Sequence, residues 1–297
     1  TTDVLRLPFD TEGGSLVRAE FLKHAGDTAA DGKTSTFVLL DESQSRLYVA
    51  QSGLIGGDFP NHKTAMSFSG DRELKPGQDS LTLRFESPVQ GGVKLVKTYT
   101  LKRGSYDIPV RHEVVNAGEQ PVKPQLYVQL VRDGNPLPGE SSFYSTFTGP
   151  AVYTEASKFQ KVKFEDIDKN KADFQKHSDD GYVAMVQHYF ASAWVLPQGT
   201  SRDIFMRKVD SNLYAAGMIA PIEAVGPGAT QAVTPVLFAG PQQEKMLEQV
   251  APGLDLVKDY GWLTILAKPL YWLLDKLHSF IGNWGWSIMA LVLVIKI

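Results

Sequence analysis

Four features of the 297-residue chain place reactive side chains where a chemical reading is worth testing. Residues 26–34, GDTAADGKT, resemble a phosphate loop, in which a Gly-rich turn cradles phosphate and a lysine reaches it. The spacing is wrong: five residues separate Gly26 from Gly32 where four are required, and the strand-like Phe37-Val38-Leu39-Leu40 follows where a helix should open. Asp166, Asp168 and Asn170 imitate the start of a calcium loop, but Lys171 stands where glycine is needed and His177 where a bidentate glutamate is needed. That stretch reads as charged surface. The six histidines, His24, His62, His112, His177, His188 and His278, include no pair at HExxH or HxH spacing, and there is no GxSxG serine elbow. An acid–base pair assembled from distant residues, His112 or His188 with Glu113 or Glu140, stays open beside packed or solvated histidines. His188, within Val186-Gln187-His188-Tyr189-Phe190, is expected on a strand at the sheet surface. The fourth feature is Lys296, the one charge in residues 287–297, SIMALVLVIKI.

Composition narrows the classes. The chain carries no cysteine, which excludes a disulfide scaffold, a Cys-ligated zinc site and a thiol nucleophile. A net charge of −3 argues against nucleic acid as the main partner, and a mean hydropathy of −0.16 excludes a chain made mostly of membrane spans. Nothing in the motifs implies a cofactor or a metal.

The elements that must position these residues change character along the chain. Up to about Gly240 the texture is β: residues 80–85, 93–101, 108–115, 124–131 and 229–239 are rich in Val, Leu, Tyr and Thr, and several alternate apolar with polar. Turn chemistry separates them at Lys75-Pro76-Gly77, Gln90-Gly91-Gly92, Asn116-Ala117-Gly118 and Arg132-Asp133-Gly134-Asn135-Pro136. With 26 Gly and 17 Pro in the chain, this pattern predicts an antiparallel sandwich of roughly twenty strands in two large sheets. Residues 27–36 are expected to form a loop, and 157–180 a solvated hairpin or a short helix.

Past Gly240-Pro241, Met246, Leu247 and Val250 share one face of a short predicted helix that ends before Pro252-Gly253. A second amphipathic helix opens near Pro269, with Leu270, Leu273, Leu274, Leu277 and Ile281 at i, i+3, i+4 spacing. Trp262, Tyr271, Trp272 and Phe280 around it suit a membrane–water boundary; a helix closing the end of the sandwich is the competing reading. Residues 281–297 then supply seventeen residues, about 25 Å of helix against a hydrocarbon core of roughly 30 Å, so the chain is read as stopping within a membrane span. The apolar residues from Ile288 onward contribute about −2 to −4 kcal/mol to insertion, and a lysine at mid-depth costs about +2.5 to +3.5 kcal/mol. Lys296 must therefore lie near the far interface, snorkel, or face a wet cavity.

Two C-terminal segments, 250–263 (VAPGLDLVKDYGWL) and 278–288 (HSFIGNWGWSI), resemble the membrane-entry region of the YidC/Oxa/Alb family of bacterial inner-membrane protein insertases. Matches run back through Gln51-Ser52-Gly53-Leu54, 101–106 (LKRGSY), Asn116-Ala117-Gly118-Glu119 and 181–185 (GYVAM) to Ala193-Trp194. The resemblance implies a galactose-mutarotase-like β-supersandwich at 1–240, a short packing helix and loop at 241–260, an interfacial amphipathic helix at 261–282 and the start of a transmembrane helix at 283–297. Residues 1–260 would be periplasmic, and the full-length protein would cross the inner membrane several times. It further implies nascent inner-membrane proteins as substrates, insertion and folding help with or beside the Sec translocon, SecD and SecF as partners, and no bond chemistry. Trp262, Tyr271, Trp272, Leu273, Phe280, Trp284 and Trp286 become interface residues, and Lys296 falls where the family places a basic residue facing a hydrophilic substrate groove. The alternative is a tethered periplasmic sandwich that binds or isomerises a carbohydrate.

Overall fold

The computed structural model describes residues 1–28, 32–137, 147–258 and 264–296, of which 27–28, 264–268 and 296 are described by backbone alone. Period-two patterning sets the strands: in Ser80–Glu86, Leu81, Leu83 and Phe85 are buried while Ser80, Thr82 and Arg84 lean outward. In Asp107–Asn116 the inward set is Ile108, Val110, His112, Val114 and Asn116.

Among the described residues, twenty-one strands form three sheets, and every pairing is antiparallel. The largest has ten strands, running Lys158–Lys161, Gly149–Thr154, Tyr182–Gln187, Phe190–Val195, Val236–Pro241, Asp107–Asn116, Val93–Lys102, Ser80–Glu86 and Ser67–Gly70, with Thr230–Val233 also beside Asp107–Asn116. An eight-stranded sheet runs His177–Ser178, Arg202–Asp210, Leu213–Pro221, Gln125–Asp133, Leu47–Ile55, Ser15–Leu16 and Phe9–Asp10, with Asp41–Glu42 beside Leu47–Ile55. Leu5–Arg6, Glu20–Thr28 and Thr34–Val38 make a third, small sheet.

The two large sheets face each other, so the sandwich expected from the turn-separated β runs is the architecture observed. Their inner faces meet through apolar packing and through polar links: Trp194 Nε1–H donates to the Gln129 carbonyl at 3.1 Å, and Tyr48 and Ser192 share a hydroxyl hydrogen bond of 2.6 Å. Tyr182–Gln187, Phe190–Val195 and Gly149–Thr154 are buried along their whole length, which requires cover on the second face as well. Helix α2 (Glu244–Val250) and the 3₁₀ turn Leu254–Val257 pack there, sinking Leu247, Leu254 and Val257 completely. Tyr182 O–H donates to the Gly253 carbonyl at 2.8 Å; Gly253 sits at φ +72°, and a β-carbon on it would lie 2.4 Å from the Tyr153 ring.

Three local expectations change. Residues 27–36 are not a free-standing loop: the strands Glu20–Thr28 and Thr34–Val38 enter them from both sides, and 29–31 lie outside the described residues. Residues 157–180 contain two strands, Lys158–Lys161 and His177–Ser178, and a helix, α1 (Phe164–Asp168, numbered first in chain order), because Ile167 is buried and Phe164 packs on Tyr214 with ring centroids 4.6 Å apart, which gives the helix an inward side. His188 is not a strand residue; with Tyr189 it forms the two-residue turn between Tyr182–Gln187 and Phe190–Val195, where its ring packs on Tyr189.

The chain divides into two units, Thr1–Val257 and Lys258–Ile297. The second comprises α3 (Thr264–Ile281) and α4 (Trp284–Lys296). Helix α3 begins five residues before Pro269, which as an interior residue removes one i→i−4 backbone hydrogen bond.

Candidate functional site

In the helical unit, the chain turns between helices in two residues. Gly282, at φ +69°, caps α3 by donating its N–H to the His278 carbonyl at 2.7 Å. Asn283 opens α4: its side-chain oxygen accepts the Trp286 N–H at 3.3 Å, and its carbonyl accepts the Ser287 N–H at 3.0 Å and hydroxyl at 2.7 Å. His278 stacks on Trp284, ring centroids 3.8 Å apart and nearly parallel, and the Lys258 ammonium lies 4.4 Å from the centre of the Tyr271 ring.

At about 100° per residue, Leu270, Leu274, Leu277 and Ile281 fall within roughly 60° of one another on α3, flanked by Leu273 and Phe280. Leu273, Leu274 and Leu277 are half-buried, while Phe280 is 91% exposed. Trp272, 63% exposed, falls on the opposite side with Lys276 and Ser279, so the aromatic residues do not share one stripe. On α4, Trp284, Trp286, Ile288, Met289, Val292, Leu293, Val294 and Ile295 are all exposed. Thirteen of the sixteen large hydrophobic side chains exposed among the described residues belong to this unit; water alone does not stabilise such a surface. No helix is long and apolar enough to cross a membrane among the described residues. Trp262 lies outside them, and Lys296 closes α4 by its backbone.

The sandwich does not bring together the residues that suggested acid–base chemistry. Glu113 pairs with Arg111 at 3.3 Å and Arg84 at 3.6 Å on the outward face, whereas His112 points inward and is wholly buried; Glu140 lies outside the described residues. His112 Nδ1–H donates to the Val110 carbonyl at 2.9 Å, leaving Nε2 to accept the Ser52 hydroxyl at 2.7 Å. Beside it Lys97, also wholly buried, donates to the carbonyls of Gly13 and Ser52, both at 2.6 Å. No described carboxylate pairs with Lys97, and burial draws its ammonium down to about 7; burial first, then the Lys97 charge, holds His112 down to about 3. Sequence reasoning missed this cluster, although Val93, Leu95, Lys97, Tyr99 and Leu101 form an inward stripe with one lysine in it. With no solvent path to a substrate, the cluster bolts the two sheets together.

The other motif-like stretches are structural. The phosphate-loop look-alike leads into a strand, Thr34–Val38, and not into a helix. Asp168 accepts the Tyr214 hydroxyl at 2.8 Å and Lys208 Nζ at 2.9 Å, tying α1 to the eight-stranded sheet. Glu244, Glu248 and Asp255 bring carboxylate oxygens within 4.8 Å of one another, the one described group able to hold a metal ion, and exposed acidic groups of this kind are common without one.

Fold and surface together define a class of protein: an antiparallel β-sandwich domain followed by an apolar helical segment that calls for a non-aqueous surface. The chain belongs to the YidC periplasmic domain family, which matches residues 1–273 and places the protein at the inner membrane with a periplasmic segment. Relatives named membrane protein insertase YidC include those of Burkholderia thailandensis and Burkholderia mallei, each 51% identical over 300 residues; the match covers all of this chain and 53% and 52% of theirs. The chain thus spans about half the length of these relatives. Among solved structures it is similar to a galactose mutarotase related enzyme from Lactobacillus acidophilus (8% identity, 81% of this chain and 96% of that one, TM-score 0.45). A galactose mutarotase-like protein from Lactobacillus casei is similar at 9% identity, over 81% of this chain and 98% of that one, with a TM-score of 0.46.

Proposed function

We propose that this chain is the periplasmic domain and membrane-entry segment of a membrane protein insertase, which moves transmembrane segments of nascent proteins sideways into the inner membrane and helps them fold. The observation that carries the reading is the concentration of exposed large hydrophobic side chains on Lys258–Ile297 in a chain of this family. Residues 1–260 lie in the periplasm, α3 lies in the interface, and α4 is the start of a span. Of the expected interface residues, Tyr271, Trp272, Phe280, Trp284 and Trp286 set the depth with ring bodies that displace water while indole N–H and phenol O–H stay near the headgroups, and Leu273 adds an aliphatic side chain; Trp262 is assigned the same role from the sequence.

Lys296 faces a hydrophilic groove and attracts acidic residues of the translocated segment, lowering the cost of bringing polar chain part-way into the bilayer. The sandwich acts as a docking surface beside the Sec translocon, with SecD and SecF as partners. No bond is made or broken, so the function is transport and not catalysis. The test replaces Lys296 with Ala or Glu in the full-length protein and follows insertion of a small substrate with a charged periplasmic loop. Insertion slows, more for Glu than for Ala; an unchanged rate overturns the role given to this lysine.

A further inference from the structure

On the outer face of the eight-stranded sheet, a cleft of about 430 Å³ opens between the strands Leu47–Ile55, Gln125–Asp133, Arg202–Asp210 and Leu213–Pro221 and the loop that carries Asn61, His62 and Lys63. Its size is that of a small-ligand site. Ile55, Phe205 and Ile219 give it apolar walls, and its polar groups have one character. Lys63 and Arg207 line it, and neither pairs with a described carboxylate; the Arg207 guanidinium rests 5.0 Å from the centre of the Phe205 ring, which holds it in place without neutralising it. No aspartate or glutamate is among the lining residues.

At the back of the cleft, the buried Tyr127 hydroxyl accepts the His62 backbone N–H at 3.0 Å and meets His62 Nδ1 in a short hydrogen bond. A ring that accepts Tyr127 O–H at Nδ1 carries its own proton on Nε2 and so presents one more donor. Burial first, then the charges of Lys97, Lys63 and Arg207, lowers the His62 pKa, which reports the positive potential in the cleft from the inside. Gln129, also buried, gives its amide N–H to Gln51 Oε1 at 2.9 Å. Two cations, a neutral imidazole donor and apolar walls, with no carboxylate base, are a poor fit for sugar isomerisation and a good one for an organic acid.

We propose that this cleft binds a small carboxylate ligand with an apolar body, the carboxylate held between Lys63 and Arg207 and the body against Phe205, Ile55 and Ile219. The site is independent of the membrane-facing helices and of Lys296, so its test leaves the insertase reading untouched. Phenylacetate is the probe, with phenylacetamide and D-galactose beside it, titrated by calorimetry and by chemical-shift perturbation of the Thr1–Val257 resonances in the whole chain. Phenylacetate binds in the millimolar range or tighter and weakens with salt, its amide binds at least about tenfold more weakly, and galactose does not bind. Arg207→Gln and Lys63→Gln, both exposed side chains whose loss leaves the melting temperature in place, each weaken phenylacetate by about tenfold to a hundredfold. Absence of phenylacetate binding, equal binding of acid and amide, binding of galactose, or full affinity in both variants would overturn the proposal.

Discussion

Lys97 is the residue whose burial most affects how the protein responds to pH. Its ammonium titrates near 7 in the folded chain and near 10.5 once unfolded, so between those values the unfolded chain binds more protons and stability rises with pH. A fully titrating group of this kind contributes about 1.4 kcal/mol per pH unit. Chemical denaturation from pH 7 to 10 should therefore show a rising stability that flattens in Lys97→Met. His112 acts in the acid range: it titrates near 3 when folded and near 6.5 when unfolded, so stability is lost as pH falls from 6.5 toward 3. In His112→Gln, which keeps a donor and an acceptor for Val110 and Ser52, that acid loss should shrink, as read from urea midpoints across the range. Alternation in the sequence announces that residues 93, 95, 97, 99 and 101 share a face, but not that the face is inward at a lysine; two backbone carbonyls distant in sequence, Gly13 in a turn and Ser52 on a strand, decide that, and no spacing rule reports them. Lys296 is the reverse case, conspicuous in the sequence because an isolated charge stands out in an apolar run.

At the scale of elements, helix signals were legible wherever proline, glycine and 3.6-residue spacing coincide, as in α2. The start of α3 was not, because a proline inside a helix imitates a proline at its beginning. The Gly282-Asn283 turn is the device that joins α3 to α4, and Asn283→Ala should cost about 1 kcal/mol of helix capping, seen as reduced helical circular dichroism in a 258–297 peptide with lipid. Replacing Trp272 and Leu273 together with Asp should abolish liposome flotation of a fragment that stops at Gly282; survival of flotation would favour a helix that closes the sandwich. Within the sandwich, Arg202 holds strand ends that the sequence gives no sign are linked. Its buried guanidinium donates to the carbonyls of Asp179, Gly181, Leu196, Pro197 and Thr200 at 2.7–3.4 Å. Lysine supplies one ammonium in place of that planar fork, so Arg202→Lys should destabilise the domain by about 3 kcal/mol in urea titrations.

For the molecule as a whole, the β-sandwich class and the change of texture near Gly240 were readable from composition and turns, while strand order was not, since antiparallel pairing is chosen by tertiary packing. The helical tail of the first unit belongs energetically to the sandwich: a chain ending at 240 loses the buried Leu247, Leu254 and Val257, at about 1.5–3 kcal/mol each, whereas one ending at 257 keeps them. Comparing the urea midpoints of the two truncations checks this. The order of the ten-stranded sheet has a kinetic corollary. Lys158–Lys161 to Phe190–Val195 form one half and Asp107–Asn116 to Ser67–Gly70 the other, and the strand Val236–Pro241, among the last of the domain to leave the ribosome, is the link between them. The halves can form hairpins early, but they cannot join until that strand emerges. Translocation of this domain therefore proceeds with its sheet open, and closure comes as one late event, slow because its contacts are distant in sequence.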